Sequence, residues 1–568
     1  MNRAFFFATA GWALSGAVAL SQQTPFGIGS CHVNGRAVED YQRWVPPIEE
    51  IGIRYHRSLM STWGAVEPER GRWSWENVDA QWEYLHDRGF ATGALLLGSP
   101  AWNDQVPGGH LPSRDLDGWS EYVYRLVDHF RGRITNYEVW NEPPNFTGPD
   151  QTAEDYARVV VAAYDAAKKA DPDCRVGLTA KSAHLSYLRQ VILAGAKDHF
   201  DWISLHPYEV LDGIVADTGM EPVFLNLVPS LRKMLAEVDP AKKDVPVMFT
   251  ELGVDAGHHG DRAQADALVK AYVLAITGGV ANVQWFEGRD GDSGPMGLLD
   301  AEGKPRPAFH AYRRMIEVLG QDPKPRGWMP VGKRSLGFGF DTENGSVLVA
   351  WTPRKTTEQL ELPGRDLDFL NATTGRSGKG TSWTFDATPV FVRGLPDESF
   401  AGATPVSKSL PPWPGDPGNY DDSRSVMIDV TLDPPERGLH SRAGSEVSAA
   451  IVAYGGSARA GDAPGGNLFM VDPSFLSYDR VPLKITAVVR RKDPSVNAGF
   501  KLVYESPGGF KTAGDWKTIP EQDEWHTIEW RLDDPCFVNY WGYNFRLESD
   551  GPTYSQYLLK SLTVEKTE

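Results

Sequence analysis

Eight short apolar runs, each followed by a helical pattern, constrain this chain more than any other feature. They fall at 26–30, 52–58, 92–97, 134–140, 175–179, 202–205, 245–250 and 281–286. They show little period-two alternation, as expected where both faces of a parallel strand are covered. The segments between them read as amphipathic helices. Val78, Trp82 and Leu85 share one face and stop at Gly89; Trp119, Val123, Leu126, Val127 and Phe130 share another and stop near Gly132. Thr152-Ala153-Glu154-Asp155 opens a third helix with the pattern of a capping box. Eight such units within residues 24–322 predict a (β/α)₈ barrel. A doubly wound open sheet would carry a Gly-rich first turn, and none is present.

Beyond the barrel the texture changes. Residues 323–398 read as a small β-domain packed on the barrel, with a turn at Asn344-Gly345. Pro405, Pro411, Pro412, Pro414 and Pro417 make 399–424 a stiff, exposed linker. Residues 425–568 read as an all-β sandwich of jelly-roll type. Its Trp516, Trp525, Trp530, Tyr540, Trp541 and Tyr543 make it a candidate carbohydrate-binding module or, equally, an aromatic-rich core. At the other end, one basic residue, an apolar stretch over 4–20 and Ala19-Leu20-Ser21 have the form of a secretory signal peptide over 1–21. The expectation is export to the periplasm or the medium, with no membrane association after cleavage. Three scattered cysteines, Cys31, Cys174 and Cys536, form no disulfide framework. A formal charge of −18 without any Lys/Arg-rich run makes the chain a poor candidate for binding nucleic acid, and no nucleic-acid partner is expected.

Two glutamates stand out. Glu142 closes the run Ile134-Thr135-Asn136-Tyr137-Glu138-Val139-Trp140-Asn141-Glu142-Pro143, and Glu251 closes Val245-Pro246-Val247-Met248-Phe249-Thr250-Glu251. The C-terminal ends of all strands in a parallel barrel open on one face, so the two converge there. Glycosidic bond cleavage needs two flanking carboxyl groups: one protonates the leaving oxygen while the other attacks the anomeric carbon or activates water. His56 and His206, at the ends of strands two and six, are placed to bind sugar hydroxyls or orient a glutamate. Glu287 ranks third among the carboxylates, outside any Asn-Glu-Pro context. His258-His259-Gly260-Asp261 lacks a second set of ligands and reads as a solvated loop, so neither metal nor cofactor is expected.

Trp140-Asn141-Glu142-Pro143 and Thr250-Glu251 resemble the acid/base and nucleophile motifs of the clan A retaining (β/α)₈ glycoside hydrolases. Within that clan, Asp201-Trp202-Ile203-Ser204-Leu205-His206-Pro207-Tyr208 is similar to family 39, the β-xylosidases and α-L-iduronidases. Arg54-Tyr55-His56, Trp63 and Glu67-Pro68-Glu69-Arg70-Gly71-Arg72-Trp73 resemble the same family. The resemblance implies a carbohydrate substrate, Glu142 as general acid/base, Glu251 as nucleophile and Asn141 on the sugar 2-hydroxyl. Such an acid must keep a proton, so the pKa of Glu142 is expected to be raised. Glu251 must stay ionised, with Arg54 and Tyr208 as candidate donors. Trp285, ending strand eight, is the implied stacking platform, and Trp102 a candidate second one. A glycan-binding barrel without catalysis and a transglycosylase are the two alternative readings, the latter differing in how water is excluded.

Overall fold

The computed structural model describes residues 24–30, 38–57, 61–291, 293–416, 418–442, 451–453, 456–462 and 466–567. The signal sequence expected over 1–21, and Cys31, lie outside them. Strands β1 (Phe26–Ile28), β2 (Tyr55–His56), β3 (Ala91–Leu96), β4 (Asn136–Val139), β5 (Arg175–Lys181), β6 (Trp202–His206), β7 (Val247–Leu252) and β8 (Asn282–Trp285) form a closed parallel barrel in sequence order. Closure pairs β1 with β8, Gly27 opposite Gln284. A Cβ on Gly27 would lie 2.9 Å from Cγ of Gln284, so the seam needs glycine there.

The helices follow their apolar stripes. Helix Leu116–His129 buries Trp119, Tyr122, Val123, Leu126 and Val127 and is capped by Asp115. Helix Ala153–Ala170 opens with a reciprocal capping box between Thr152 and Asp155. The second helix lies against β4, with its Tyr156 hydroxyl donating to Val139 O (2.7 Å).

An antiparallel six-stranded sheet follows, from Lys324–Pro330 to Val390–Arg393. Its alternation divides the core. Phe338, Val347, Val349 and Trp351 join the barrel's hydrophobic cluster, whereas Leu348, Ala350, Phe369 and Val392 form a separate one. Trp351 also donates its indole N–H to the buried Glu221 (3.0 Å), fixing the sheet to the barrel.

The expected linker is instead a packed strap. Trp413 is 1% exposed and stacks on His440 at 4.0 Å, and Val406 is buried. Asp416 accepts hydrogen bonds from the Tyr420 hydroxyl and from Gly438 N. Exposure is decided by the apolar residues between the prolines, not by the prolines.

The C-terminal portion holds a seven-stranded and a six-stranded antiparallel sheet packed around Ile485, Phe500, Leu502, Phe545 and Leu562. Trp530 belongs to that core. Tyr540, Trp541 and Tyr543 point elsewhere, into the hydrophobic cluster of the barrel. The sandwich is docked on the face of the barrel where the strands end, beside β5. Tyr540 stacks on His184 (3.5 Å), Ser477 bonds Asn226, and Lys233 reaches Ser477 O and Asp479.

Candidate active site

The ends of β4, β6 and β7 build the site. After β4 the chain turns through Trp140 (φ 69°) and Glu142 (φ 47°), both left-handed. Such conformations cost on the order of 1–3 kcal/mol each in a non-glycine residue and persist only where surrounding contacts hold them. Here the Trp140 indole donates to Phe146 O (2.6 Å), and Trp140 N donates to Leu96 O. Glu251 lies within β7, beside a register irregularity against β8. His206 ends β6 between them. One oxygen of Glu142, one of Glu251 and a ring nitrogen of His206 lie within 4.8 Å of one another.

Arg57 organises the charges. Its guanidinium donates from Nε to Glu138 (2.8 Å), from Nη2 to the Asn141 carbonyl oxygen (2.9 Å), and from Nη1 to Glu251. The paired carboxylate of Glu138 is held below its ordinary pKa: burial raises it, but Arg57 outweighs burial. Asn141 thereby commits its oxygen and keeps its amide N–H groups as donors. Tyr208 donates to Glu251 (3.4 Å), as the sequence suggested. Arg54 does not. Its guanidinium bonds Glu49 O and Ile53 O below the barrel, and Arg57, three residues on, takes the place expected for it.

The proton on Glu142 belongs to a pair. Thr250 Oγ1 lies 2.9 Å from Glu138 Oε1 and 2.9 Å from His206 Nε2. Its single hydrogen goes to the ionised Glu138, so it accepts from Nε2–H of His206. That leaves Nδ1 of His206 facing Glu142 Oε1 at 2.8 Å with one proton between them. If Glu142 is ionised, His206 is a cation; if His206 is neutral, Glu142 is an acid. The pKa of Glu142 is lowered, contrary to the expected rise. Burial pushes it up, but the hydrogen bond and charge of His206, then Lys181 and Arg57, outweigh burial. That lowering favours the ionised form of Glu142 in the resting site.

Several sequence-nominated residues lie outside this arrangement. His56 is fully buried and packs on Tyr41 of helix Val38–Ile51, 5.5 Å between rings, on the outer side of β2. Trp285 is likewise fully buried and offers no sugar platform; the next ring, Phe286, is half-buried. Trp102 is half-buried, with its indole bonded to Glu67 O (2.7 Å) and the Arg70 guanidinium 4.7 Å over its ring. Glu287 is buried past β8, its backbone bonded to Met296 and Leu298. The His258-His259 pair ends the short helix Ala256–His259, and His259 faces Asp212 at 3.2 Å. A cavity of about 300 Å³ opens there beside Tyr208, lined by Asp212, Asp255, His259, Met296 and Arg442. Arg442 comes from the C-terminal sandwich.

Comparison with known proteins is consistent with this geometry. The profile of glycosyl hydrolases family 39 matches residues 20–325. The chain belongs to that family. This family 39 protein is an O-glycosyl hydrolase of the retaining class. It is 25% identical over 339 residues to a β-xylosidase of Caldicellulosiruptor saccharolyticus, spanning 52% of this chain and 68% of that one. It is 30% identical over 121 residues to endo-1,4-β-xylanase B of Thermotoga neapolitana, 20% of this chain and 34% of the relative. A solved family 39 glycoside hydrolase from Bacteroides cellulosilyticus WH2 shares the fold, with a TM-score of 0.55 and 21% identity, over 66% of this chain and 82% of that one.

Proposed function

We propose that this protein is an exported retaining glycosidase that cleaves poly- or oligosaccharides by double displacement. In this reading Glu251 attacks the anomeric carbon and Glu142 protonates the leaving oxygen, then activates the water that releases the glycosyl group. The observation that carries it is the carboxyl pair, with oxygens within 4.8 Å. An inverting enzyme spaces its carboxyl groups about 6.5–9.5 Å apart to admit water, and a retaining one about 5–5.5 Å. The remaining groups fit the same steps. Arg57 and Tyr208 hold Glu251 as a carboxylate aimed at the sugar. The free amide of Asn141 is a donor for the 2-hydroxyl. His206 supplies and takes back the proton of Glu142. The sandwich against the catalytic face narrows the approach for a polymer.

β-Xylosides are the first substrates to test, since the relatives are a β-xylosidase and xylanases. Glu251→Ala should abolish turnover, and a 2-fluoro aryl glycoside should leave a covalent adduct on Glu251 in the native chain. Glu142→Ala should slow substrates with poor leaving groups far more than activated aryl glycosides. Unchanged activity in either variant would sink the assignment. Export would be checked by the N-terminal peptide of protein recovered outside the cytoplasm, which should begin after Ser21.

A further inference from the structure

On the catalytic face, several charges among the described residues touch an opposite charge or share a proton. Glu138 and Glu251 meet Arg57, and Glu142 meets His206. Asp212 meets Arg442 (3.3 Å) and His259. Glu209 is different again. Its Oε2 lies 2.5 Å from Ser182 Oγ, which is also 2.6 Å from Tyr540 O. A serine hydroxyl has one hydrogen, so a chain running from Glu209 O–H through Ser182 O–H to the Tyr540 carbonyl satisfies all three. Burial raises the pKa of Glu209.

Lys181 touches no carboxylate directly, though its charge acts on Glu142 and Glu209. It ends β5, its backbone N–H bonds Pro143 O, and it sits in register beside His206. It is half-buried, and among the described residues no carboxylate oxygen lies within 4 Å of its ammonium. Its contact is aromatic: Nζ lies 4.8 Å from the ring centroid of Trp541, which the sandwich extends over the barrel. The loop that carries Trp541 is held by the buried Glu505, whose oxygens accept from Val538 N, Asn539 N, Tyr540 N and Asn544 Nδ2. The indole is thus delivered by a fixed piece of the second domain.

Lys181 and Pro143 flank Glu142, the group that protonates the leaving oxygen in the proposed mechanism. Chemistry places the departing sugar on the side of that acid. We infer that Lys181, positioned by Trp541, recognises a negatively charged group on the leaving-group sugar, in the first instance the carboxylate of a uronic acid. The C-terminal sandwich is then one wall of the substrate site. The inference rests on the assignment of Glu142 as acid.

The test is ligand-observed NMR titration of the full-length protein with methyl β-glucuronide, methyl β-glucoside and a 6-sulfated methyl glucoside. The glucuronide should bind about tenfold tighter than the glucoside, the affinity change expected from one charge-assisted contact worth about 1.4 kcal/mol. Lys181→Met should erase the preference, Lys181→Arg should restore it, and Trp541→Ala should weaken it. A sulfated sugar bound more tightly than the glucuronide would support the same anion site with sulfate as its source. Equal binding of charged and neutral sugars by the native protein, or a preference that survives Lys181→Met, would overturn the inference. Failure of the glycosidase reading would show separately, as absent hydrolysis of every glycoside by the native protein, and leaves the titrations readable.

Discussion

Arg57→Met is the perturbation that bears hardest on the proposed chemistry. The guanidinium is 6% exposed and holds two carboxylates and one amide in a single fork. Removing it strands Glu138, 3% exposed, with Thr250 as its remaining hydrogen-bond donor. Breaking a buried ion pair in this way costs about 3–5 kcal/mol. In a domain of this size about 2 °C of Tm follows each kcal/mol, so calorimetry should show a fall of about 6–10 °C. Turnover falls further, because Glu251 loses its cation and Asn141 its orientation. Loss of one aligned electrostatic donor lowers kcat by about 10²–10³-fold. Arg57→Lys keeps the charge without the fork, so it should recover most of the Tm and little of the kcat. Arg54→Met is the control, since Arg54 bonds only backbone carbonyls below the barrel among the described contacts. A native Tm and kcat in Arg57→Met, or a larger kcat loss in Arg54→Met, would refute the charge map.

Two further predictions probe other protons. Thr250→Val removes the acceptor that fixes the hydrogen on His206 Nε2, releasing the tautomer that donates from Nδ1 to an ionised Glu142. Hydrolysis of unactivated glycosides should fall by about tenfold or more while activated aryl glycosides are spared, and equal losses would remove the proton-sharing account. His440, fully buried, faces Glu436 at 3.5 Å, Asp416 at 3.6 Å and Asp472 at 3.8 Å, with Arg354 also at 3.5 Å from Glu436. Burial lowers the imidazole pKa, but Asp472 and Glu436 outweigh it and the net shift is upward. A raised folded-state pKa gives stability that is complete below the unfolded value of about 6.5 and fades as pH rises through the folded value. Thermal scans should therefore show Tm declining above about pH 6.5 in the native chain and declining less in His440→Gln. Parallel curves for the two proteins would count against this role.

The fold was legible because its signal is repetitive. Eight short apolar runs and the helices between them survive an error of a residue or two at any boundary, since what defines the barrel is their order and spacing. The strap was not legible for the opposite reason. Trp413 and Val406 are single apolar residues among prolines, with no period to reveal burial, and Trp413 packs against Gly219 and His440, both outside the strap. Docking of the sandwich on the catalytic face is a fact of shape between two units, written in scattered residues such as Ser182, His184 and Tyr540.

Arg54, His56 and Trp285 are misplaced for one cause, which is parity. Successive side chains of a strand point to opposite faces, so a one-residue error exchanges the barrel interior for the helix layer. In β2 the phenol of Tyr55 reaches Asn136 across the interior, so Arg57 shares its inward side while Arg54 and His56 take the outward one. In β8 Gln284 faces Gly27 inside, which sends Trp285 outward and returns Phe286 to the inner side. The same rule accounts for Glu138, which no motif nominated: Asn136 and Glu138 share the inner face of β4, and Tyr137 the outer. Strands two to four residues long carry too few alternations to set parity by hydrophobicity when both faces are buried. What sets it here is polarity: an Arg, an Asn and a Glu have no place against the helix layer, and the inner face of the barrel is where they can pair.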